Sequence, residues 1–491
     1  MVSNQIPLNE FVMLQRGFDL PKGDRIEGSI PVVASTGVGG HHNEAKVTAP
    51  GVVIGRSGSI GGGQYIQDDF WPLNTTLWVK DFKGHHPRFV YYLFKSIDFS
   101  IFNVGSGVPT LNRNHLSSLM VRNIGVDNEK EIAKFLGDLD DKIDLNKKTN
   151  QTLEQMAQAL FKSWFVDFDP VFDNLLASVD FKLDNLESRL PDELKQKAQR
   201  RLTALDSLEN AAQCKASLIA LAHELQAQLP TKEATQAAEQ ISEKAAKTPV
   251  KANFSANPNI LAQHANTHAH FPSEFEHNEQ LGWIPKGWST SSAEDEFVVK
   301  GGSTPSTKNS DFWDGGNIHW TTPKDLSGNP TKIMLDTSRK ITSAGLKKIT
   351  SGLLPIDTVL MSSRAPVGYL ALAKVPVAIN QGYIAITDAK TLSSEYTIQW
   401  LDSVMDEIKG ISGGTTFAEI SKKTFKSIQL VIPSKKAVEA YTEITKMYYE
   451  RISACVQEIN TLTETRDYLL PKLISGELQI PDVATDDETV Y

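Results

Sequence analysis

The sequence predicts an α+β protein in which two similar globular α/β domains are joined by two long antiparallel coiled-coil helices. Two observations support this prediction. A heptad-patterned segment near residues 129–165 returns near 438–474 at a constant offset of 309, and the segments that precede the two helices repeat one another loosely. An apolar period of roughly 3.5 residues requires a partner helix along its length. We therefore expect a pseudo-two-fold internal repeat, with an extra helical insert between its two copies.

The apolar seam of each long helix advances in alternating steps of four and three residues. In the first helix the seam consists of Ile132, Leu136, Leu139, Ile143, Asn146, Asn150, Leu153, Ala157, Leu160 and Trp164. In the second helix it consists of Tyr441, Thr445, Tyr448, Ile452, Cys455, Ile459, Leu462, Arg466, Leu469 and Leu473. The polar seam residues Asn146, Asn150 and Arg466 either fix the register of the pair or lie at a solvated edge.

The segments before the two helices predict strand-and-turn domains. Short β-branched or aromatic runs at 52–54 and 77–79 are separated by glycine clusters, and a short helix is expected around 89–99. The second domain repeats this plan: Glu10-Phe11-Val12 returns as Glu296-Phe297-Val298, and the segment 52–61 returns as 359–368. The predicted boundaries are 1–126 for the first domain, 127–170 for the first long helix, 171–270 for a helical insert and flexible linker, 271–433 for the second domain, 434–480 for the second long helix and 481–491 for an acidic tail.

The insert has a helical pattern in its first part. One apolar stripe consists of Leu176, Val179, Leu183, Leu186 and Leu190. It predicts a helix that ends at Pro191, followed by a helix to about Gln228, and we expect a helical hairpin packed on the long helices. Residues 231–270 are rich in Ala, Gln and Asn and predict a flexible linker.

Charge is distributed unevenly along the chain, whose formal net charge is −9. Residues 1–126 hold 11 basic and 9 acidic residues, and residues 281–430 hold 16 and 14. Residues 127–170 hold 6 basic and 10 acidic residues, and residues 431–491 hold 6 and 11. Contact with DNA is therefore expected on the globular domains, and contact with proteins on the helices.

Several function classes find no support in the residues. The chain has two cysteines without ligand or disulfide spacing, no apolar signal core and no run of about 18 apolar residues, so we expect a cytoplasmic protein that does not enter a membrane. The Asn- or Asp-Pro-Pro-aromatic motif of an amino-methyltransferase and the P-loop of an ATPase are both absent from the sequence. No catalytic residues and no metal ligands are predicted.

Three strings in this order resemble the specificity subunit of type I restriction–modification enzymes. Leu160–Pro170 (LFKSWFVDFDP) closes the first helix, Gly282–Trp288 (GWIPKGW) opens the second domain, and Leu469–Leu478 (LLPKLISGEL) closes the second helix. Together with the repeat, the resemblance covers nearly the whole chain except 171–270. The insert is the departure, since the connection in this family is usually much shorter.

The resemblance implies a non-catalytic DNA reader that also serves as an assembly hub. Each globular domain would be a target-recognition domain for one half of a bipartite site in double-stranded DNA. The paired helices would dock two methyltransferase (M) subunits, and restriction (R) subunits would complete the nuclease. S-adenosylmethionine, ATP and Mg²⁺ would act in those partners, with no cofactor in this chain.

Side chains that suit base or phosphate contacts occur on the loops of both domains. In the first domain the candidates for DNA binding are Thr36, His41, His42, Asn43, Arg56, Ser57, Gln64, Asn112, Arg113 and Asn114. In the second domain they are Ser306, Thr307, Lys308, Ser363, Arg364, Asn380, Gln381, Lys422 and Lys423. Ser57 and Arg364 occupy equivalent positions of the repeat, each directly after a strand.

Two alternatives to this interpretation belong to other function classes. The chain could be a self-contained DNA methyltransferase or endonuclease, in which case the purified protein alone would transfer methyl groups or cut DNA. It could instead be a coiled-coil adaptor whose globular domains bind proteins. A DNA reader loses affinity steeply as the salt concentration rises, and an adaptor of this kind does not.

Overall fold

The computed structural model describes residues 5–104, 107–186, 190–227, 267–364, 366–413 and 418–480. The predicted acidic tail and most of the predicted linker lie outside the described residues. The chain divides into two compact units, Met1–Lys147 with Gln457–Tyr491, and Lys148–Val456. The division cuts through both long helices, so each unit holds one globular domain together with the adjoining part of each helix.

The first unit contains a domain of short strands and helices, which we call the first head. Its strands are β1 (Gln5–Pro7), β2 (Met13–Arg16), β3 (Ile30–Ala34), β4 (Gly37–His42), β5 (Gly51–Gly55), β6 (Gly61–Ile66), β7 (Trp71–Pro72), β8 (Thr76–Asp81) and β9 (Met120–Arg122). Its helices are α1 (Leu8–Phe11), α2 (Pro87–Ser96) and α3 (Arg113–Leu116), with 3-10 turns at Lys22–Asp24 and Phe99–Phe102.

The first head is built on two small sheets. One has the strand order β2-β8-β5-β6 and is antiparallel throughout, and the other has the order β4-β3-β7. Strands β1 and β9 pair with each other at the ends of the head. Helix α2 covers the four-stranded sheet and buries Phe89, Leu93 and Phe94, the face that the sequence predicts for a helix here.

The second unit contains a second head with the same order of elements. Its strands are β10 (Phe275–Asn278), β11 (Gly282–Pro285), β12 (Ser289–Ser292), β13 (Phe297–Lys300), β14 (Ile318–Thr321), β15 (Ile333–Met334), β16 (Arg339–Ile341), β17 (Thr358–Ser362), β18 (Leu370–Ala373), β19 (Ala378–Ile379), β20 (Tyr383–Ala389) and β21 (Gln429–Ile432). Helices of the whole chain after α3 are α4 (Val126–Phe161), α5 (Asp169–Ala177), α6 (Asp192–Asp206), α7 (Ala211–Ala227), α8 (Ala293–Glu296), α9 (Pro323–Leu326), α10 (Ser343–Leu346), α11 (Ser394–Ser403), α12 (Met405–Ile411), α13 (Lys422–Lys426) and α14 (Lys435–Ser475).

The two heads share one topology, which confirms the internal repeat. The large sheet of the second head has the order β13-β20-β17-β18-β15, and its small sheet the order β16-β14-β19. Apart from the extra strand β15, both orders match those of the first head. Single bridges also recur: Ser57 pairs with Thr110, and Arg364 pairs with Glu419 at positions 307 and 309 residues later.

One predicted match within the repeat is displaced by a residue. The backbone N–H of Leu8 donates to Leu119 O, and that of Ala293 donates to Ile428 O, both at 2.8 Å. These equivalent bonds set an offset of 285 at the start of the heads. The string match of Glu10-Phe11-Val12 with Glu296-Phe297-Val298 implies 286 and is therefore wrong. Gly17 and Gly302 also correspond at an offset of 285. A Cβ at either glycine would lie 2.1 Å or less from a carbonyl oxygen at the end of the neighbouring strand.

The long helices α4 and α14 contain 36 and 41 residues. Within each unit their segments run antiparallel. In the first unit Asp140 contacts Arg466 and Asn146 contacts Glu458. In the second unit Ala157 contacts Tyr441 and Glu154 contacts Tyr449. A π-helical turn, Lys162–Val166, follows α4, so the helical run ends close to residue 165, as the heptad pattern predicts. Phe168 with φ of 59° separates that turn from α5, which begins one residue before the predicted domain boundary at 170.

The insert is helical, but its first helix is shorter than the apolar stripe predicts. Helix α5 ends at Ala177, and the stripe continues in a 3-10 turn, Leu183–Leu186. Non-glycine residues with positive φ, Asp180 and Phe181, interrupt the helix between the two segments. The stripe residues still share one apolar core with the end of α4 and with the second head, so the insert packs on the second unit.

Candidate nucleic-acid interface

A basic cleft opens in the first head where β2 and β5 end and α3 begins. Its volume is about 710 Å³, and its polar lining includes Gln15, Arg16, Arg56, Asn112 and Arg113. The strand ends place two of the arginines, and the start of a helix places the third. Three guanidinium groups in one cleft favour phosphate or guanine as the bound group, because both accept paired N–H donors.

Hydrogen bonds within the head orient the polar side chains of the cleft, and the arginines retain N–H donors that these bonds do not use. Arg16 Nε and Arg56 Nη1 both donate to the carbonyl of Asn74, at 3.4 Å. Asn112 caps helix α3 by accepting from Asn114 N at 3.0 Å. Since a guanidinium has five N–H donors, each arginine retains further donors for a ligand.

Of the predicted residues, Arg56, Asn112 and Arg113 line this cleft, and Asn114 follows them on α3. Arg16 was missed, although it is the last residue of β2, and Arg56 directly follows β5. That shared position at a strand end is the signal by which the sequence could have identified it.

The other predicted residues of the first head lie on or beside β3, β4 and β6. Thr36 in the β3–β4 turn, His41 at the end of β4 and Asn43 are exposed. Gln64 Nε2 donates to Ala34 O at 3.0 Å and ties the turn to β6. Ser57 is half-buried, and its backbone N–H donates to Thr75 O at 3.1 Å.

His42 is a structural residue, and the prediction that it contacts DNA is wrong. Its side chain is only 5% exposed. Nδ1 accepts a hydrogen bond from Ile26 N at 3.1 Å, and the ring packs edge-on against Trp71 at 5.2 Å. Strand alternation explains the difference, because His41 and His42 project to opposite faces of β4.

Three segments of the second head supply the equivalent polar residues. Ser306, Thr307 and Lys308 are exposed in the loop before a 3-10 turn, Ser310–Phe312. Lys422 and Lys423 are exposed on α13, and Lys422 Nζ stands directly over Gly301, where a Cβ would lie 2.1 Å away. Lys422 occupies the position equivalent to Arg113, at an offset of 309.

The turn between β19 and β20 is held by its own polar side chains. Asn380 Oδ1 accepts from Gly382 N at 2.8 Å, and Gln381 Oε1 accepts from Thr304 Oγ1 at 2.8 Å. Asn380 therefore shapes the turn, whereas Gln381 is exposed. Arg364 is half-buried and carries the bridge to Glu419.

Ser363 is buried, and the prediction that it contacts DNA is wrong. It is 4% exposed. Its backbone N–H donates to Gly382 O at 2.8 Å, and its carbonyl accepts from Ile420 N at 3.0 Å. Arg56 at the equivalent position of the first head makes the same backbone bond, since its carbonyl accepts from Leu111 N, but its longer side chain reaches the cleft.

A second basic surface, which the sequence analysis missed, lies on the small sheet of the second head. The exposed Arg339 guanidinium stacks on Trp313 at 3.6 Å and lies 5.4 Å from the Trp320 ring. Trp313 Nε1 in turn donates to Ser306 O at 3.0 Å, which anchors the predicted loop. Exposed Lys340 belongs to the same strand, and exposed Lys347 and Lys348 directly follow α10. No sequence spacing relates Trp313 to Arg339, so only the fold brings them together.

The predicted helix-pairing residues lie on the inner faces of α4 and α14. In the first unit Leu136, Ile143 and Asn146 are buried, and Leu139, Ile459, Leu462 and Leu469 are half-buried. In the second unit Asn150 and Ile452 are buried, and Leu153, Leu160 and Tyr448 are half-buried. The neighbouring Tyr449 is fully buried, as is Tyr441, and the Tyr449 hydroxyl accepts from Gln399 of the second head at 2.6 Å.

Metal-binding clusters and membrane-spanning helices are both absent from the part of the chain that the structure describes. No group of three or more His, Cys, Asp or Glu side chains is placed to hold a metal ion. No helix among the described residues is long and apolar enough to cross a membrane. His268, in the insert, instead contacts Asp173 at 2.9 Å.

The chain is similar in sequence to known specificity subunits. It is 27% identical to the type I restriction enzyme HindI specificity subunit of Haemophilus influenzae over 378 residues, which cover 75% of this chain and 71% of that protein. It is 35% identical to the MjaIX specificity subunit of Methanocaldococcus jannaschii over 182 residues, 37% of this chain and 42% of that protein.

The fold also resembles a solved structure. The S subunit of a type I restriction-modification system from M. genitalium superposes with a TM-score of 0.53 at 12% identity, over 98% of this chain and 96% of that one. The family described as "Type I restriction modification DNA specificity domain" matches residues 6–155 and 285–464, one match for each head and its helix. The chain therefore belongs to the family of type I restriction–modification specificity subunits.

Proposed function

We propose that this chain is the non-catalytic DNA-sequence-specificity subunit of a type I restriction–modification complex, and that each head reads one half of a bipartite target. The observation that supports this most directly is the duplication of one basic head within a single chain. Both heads place a cation within two residues of the end of the strand equivalent to β5, Arg56 and Arg364, and another at the start of the helix equivalent to α3, Arg113 and Lys422. A pair of similar readers suits a target with two separated halves.

The reading surface that we assign to the first head is the cleft of Arg16, Arg56 and Arg113. Arginine and asparagine at base edges recognise guanine and adenine respectively, and the remaining cations bind phosphate. Exposed Thr36, His41 and Asn43, with Gln64, Asn114 and Ser57, extend this surface as secondary contacts.

The reading surface that we assign to the second head combines Lys422 and Lys423 with the exposed loop Ser306, Thr307 and Lys308. Arg364, Gln381 and the stacked Arg339 complete it. Stacking on Trp313 holds the Arg339 guanidinium in one orientation, which reduces the entropy lost when it binds a phosphate. Asn380 supports this surface indirectly, through the turn that carries Gln381.

The long helices are proposed to dock two methyltransferase (M) subunits, and restriction (R) subunits to join the complete complex. Large apolar side chains are exposed on both helices, among them Phe135 and Met156 on α4 and Met447 and Tyr468 on α14. Exposed apolar side chains on acidic helices suit a protein partner better than DNA. S-adenosylmethionine, ATP and Mg²⁺ are proposed to act in those partners.

Gel-shift titration with a duplex library tests the proposal. The chain, alone and with its M subunit, is mixed with random-sequence competitor, and the retained DNA is sequenced. We expect one bipartite motif, bound more tightly when the M subunit is present, with affinity falling steeply between about 50 and 200 mM salt. Equal retention of all sequences, or affinity indifferent to salt, contradicts the proposal.

A charge-matched pair of variants assigns the binding to the cleft. Arg113→Ala should weaken binding, whereas Lys195→Ala, which removes an exposed cation of the insert paired with Asp192, should not. If both variants bind like the parent chain, the cleft of the first head is not the reading surface.

A further inference from the structure

The first head makes polar contacts with α4 through α2 and the two residues before it. The first contact is Glu129, whose side chain is fully buried. Its Oε1 lies 2.7 Å from His85 Nδ1, and its Oε2 accepts from the backbone N–H of His86 at 2.9 Å. A buried carboxylate with two partners fixes the end of α2 against the helix.

The second contact lies about two to three turns further along α4, at Gly137 and Asp141. Arg88 donates to both oxygens of Asp141, at 2.6 and 3.0 Å, and to Gly137 O at 3.0 Å. The absence of a side chain at Gly137 makes room for the guanidinium, since a Cβ there would lie 2.7 Å from Arg88 Cζ. The hydrogen bonds with Arg88 hold the pKa of Asp141 below its usual value, and those with Asp141 raise the pKa of Arg88.

The third contact joins the first head to both helices. Tyr92 Oη donates to Asp140 Oδ2 at 2.6 Å, and Arg466 Nη1 donates to Asp140 Oδ1 at 2.6 Å. Burial, and then the hydrogen bond with Asp140, raise the pKa of Tyr92, so its hydroxyl remains a donor at neutral pH. Burial raises the pKa of the adjacent Tyr91 to about 12. We call Glu129, Gly137, Asp140, Asp141 and Arg466 the first seat.

The second head rests on its own part of the helices through α11, which is equivalent to α2. Gln399 Nε2 donates to Tyr449 Oη at 2.6 Å and to Glu154 Oε1 at 2.9 Å. Lys332 Nζ lies 2.8 Å from Glu154 Oε1 and 3.1 Å from Asp402 Oδ1. Thr442 Oγ1 donates to Ser393 Oγ at 2.8 Å. We call Glu154, Thr442 and Tyr449 the second seat.

Equivalent positions of the two seats carry different chemistry. On the heads, at an offset of 307, Arg88 corresponds to Glu395 and Tyr92 to Gln399. On the helices, at an offset of 309, Asp141 corresponds to Glu450 and Asp140 to Tyr449. The first seat thus joins a tyrosine of the head to a carboxylate, and the second joins a glutamine of the head to a tyrosine.

Because of this difference, the second head does not fit the first seat. In that position Glu395 would face Asp141, and Gln399 would face Asp140 in place of the Tyr92 hydroxyl. The bidentate bond that Arg88 makes to Asp141 is lost there. In the converse arrangement Tyr92 would meet Tyr449 in place of the Gln399 amide that donates to its hydroxyl.

We propose that the side chains of the first seat match the first head and not the second, and that they hold the first head in one orientation on α4. Arg88 and Tyr92 are then positioning residues and do not themselves read bases. The docking claim is independent of the proposed function. Only its consequence, a fixed orientation of the first reading surface toward its half-site, rests on that function.

The test places the residue types of the second head at two positions of the first head, in the full chain. Arg88→Glu with Tyr92→Gln should lower the unfolding temperature by several degrees and speed amide hydrogen exchange in residues 87–96. Adding Asp141→Arg should restore much of both, because the new cation faces the new carboxylate. The control Lys80→Glu makes the same charge change at an exposed site of the same head, and should leave both measurements unchanged.

The proposal is overturned if the double variant unfolds like the parent, or if Asp141→Arg brings no recovery. A chain in which residues 5–122 and 289–432 are exchanged for one another provides an independent test. Adding Glu395→Arg and Gln399→Tyr to the second head in its new position should raise the unfolding temperature of that chain. Equal unfolding temperatures of the exchanged chain with and without these two substitutions contradict the proposal. Since neither measurement uses DNA, these outcomes are distinct from a failure of the proposed DNA recognition.

Discussion

Asn146 on α4 donates a hydrogen bond of 2.8 Å to Glu458 Oε2 on α14. Asn146 is 1% exposed, and Lys142 Nζ lies 3.4 Å from the other oxygen of the same carboxylate. A slip of one helical turn would move Glu458 about 5.4 Å along the axis and break both contacts. Asn146 is therefore placed to fix the register of the pair, and its burial rules out a solvated edge.

Asn150 lies one helical turn from Asn146 on α4 and differs from it in hydrogen bonding. It is equally buried, but neither its side-chain nitrogen nor its oxygen has a hydrogen-bond partner within the described residues. A buried amide without partners costs free energy that an apolar residue of similar size avoids. We predict that Asn150→Leu raises the free energy of unfolding by about 1 kcal/mol, whereas Asn146→Leu lowers it by about the same amount. Urea denaturation of both variants measures this, and shifts of the same sign would contradict the assignment.

The repeat and the helix seam could be predicted from sequence because both are periodic. Ile132, Leu136 and Ile143 recur at heptad spacing, and that spacing alone identifies a buried face. The details that failed depend on tertiary contacts. His42 and Ser363 look like loop polar residues, and only the fold shows that Trp71 and Gly382 cover them. The Arg339–Trp313 stack and the two seats join residues far apart in sequence, so no local pattern indicates them.

Acid should destabilise the insert through Asp173. This carboxylate, on α5, accepts two hydrogen bonds of 2.7 Å from Arg201 on α6 and lies 2.9 Å from His268. Burial alone would raise the pKa of Asp173, but the bonds with Arg201 and His268 outweigh it and lower that pKa. A lowered pKa in the folded state means that this stabilisation is complete above the ordinary carboxyl pKa of about 3.9 and is lost as pH falls through the folded value.

We therefore predict that Asp173→Asn costs about 3 kcal/mol at pH 7, since it removes the carboxylate that accepts two hydrogen bonds from Arg201 and leaves that guanidinium with Asp169, 3.3 Å away, as its ion-pair partner. The variant should also lose less stability than the parent between about pH 5 and 2. Urea unfolding followed by amide exchange in 169–206 measures both effects. Asp192→Asn, at an exposed site, is the control. A parallel pH dependence in parent and variant would show that Asp173 does not carry the acid sensitivity.

The cations of the two heads should act on separate half-sites. Arg113 and Lys422 occupy equivalent positions on α3 and α13, so Arg113→Ala should relax base preference in one half of the target and Lys422→Ala in the other. Loss of a paired arginine contact to guanine costs about 1–3 kcal/mol of discrimination. Sequencing of DNA selected by each variant shows which half changes. If either variant altered both halves equally, the heads would not read independently.

Arg339 should contribute through phosphate, and its stacking partner should share the effect. Arg339→Ala is predicted to weaken binding of all sequences alike and to reduce the slope of log K against log salt by about 1. Trp313→Leu keeps the charge but removes the stack, so it should weaken binding without changing the slope. Titrations at four salt concentrations separate the two results. A change in base preference in Arg339→Ala would instead place this residue at a base edge.

Helix length should set the separation of the two half-sites. Helix α4 has 36 residues and is about 54 Å long at 1.5 Å per residue, against about 34–36 Å for one turn of DNA. Inserting one heptad after Asn150 in α4 and one after Ile459 in α14 keeps the seam in phase, because the apolar pattern repeats every seven residues. We predict a longer unread spacer with both half-sites unchanged, measured by selection from DNA in which the spacer varies.

Insertion of four residues at the same places is the control, since it rotates the seam and should abolish tight binding. Altered half-sites with an unchanged spacer would mean that the helices read sequence and the heads set distance, the reverse of the roles assigned here.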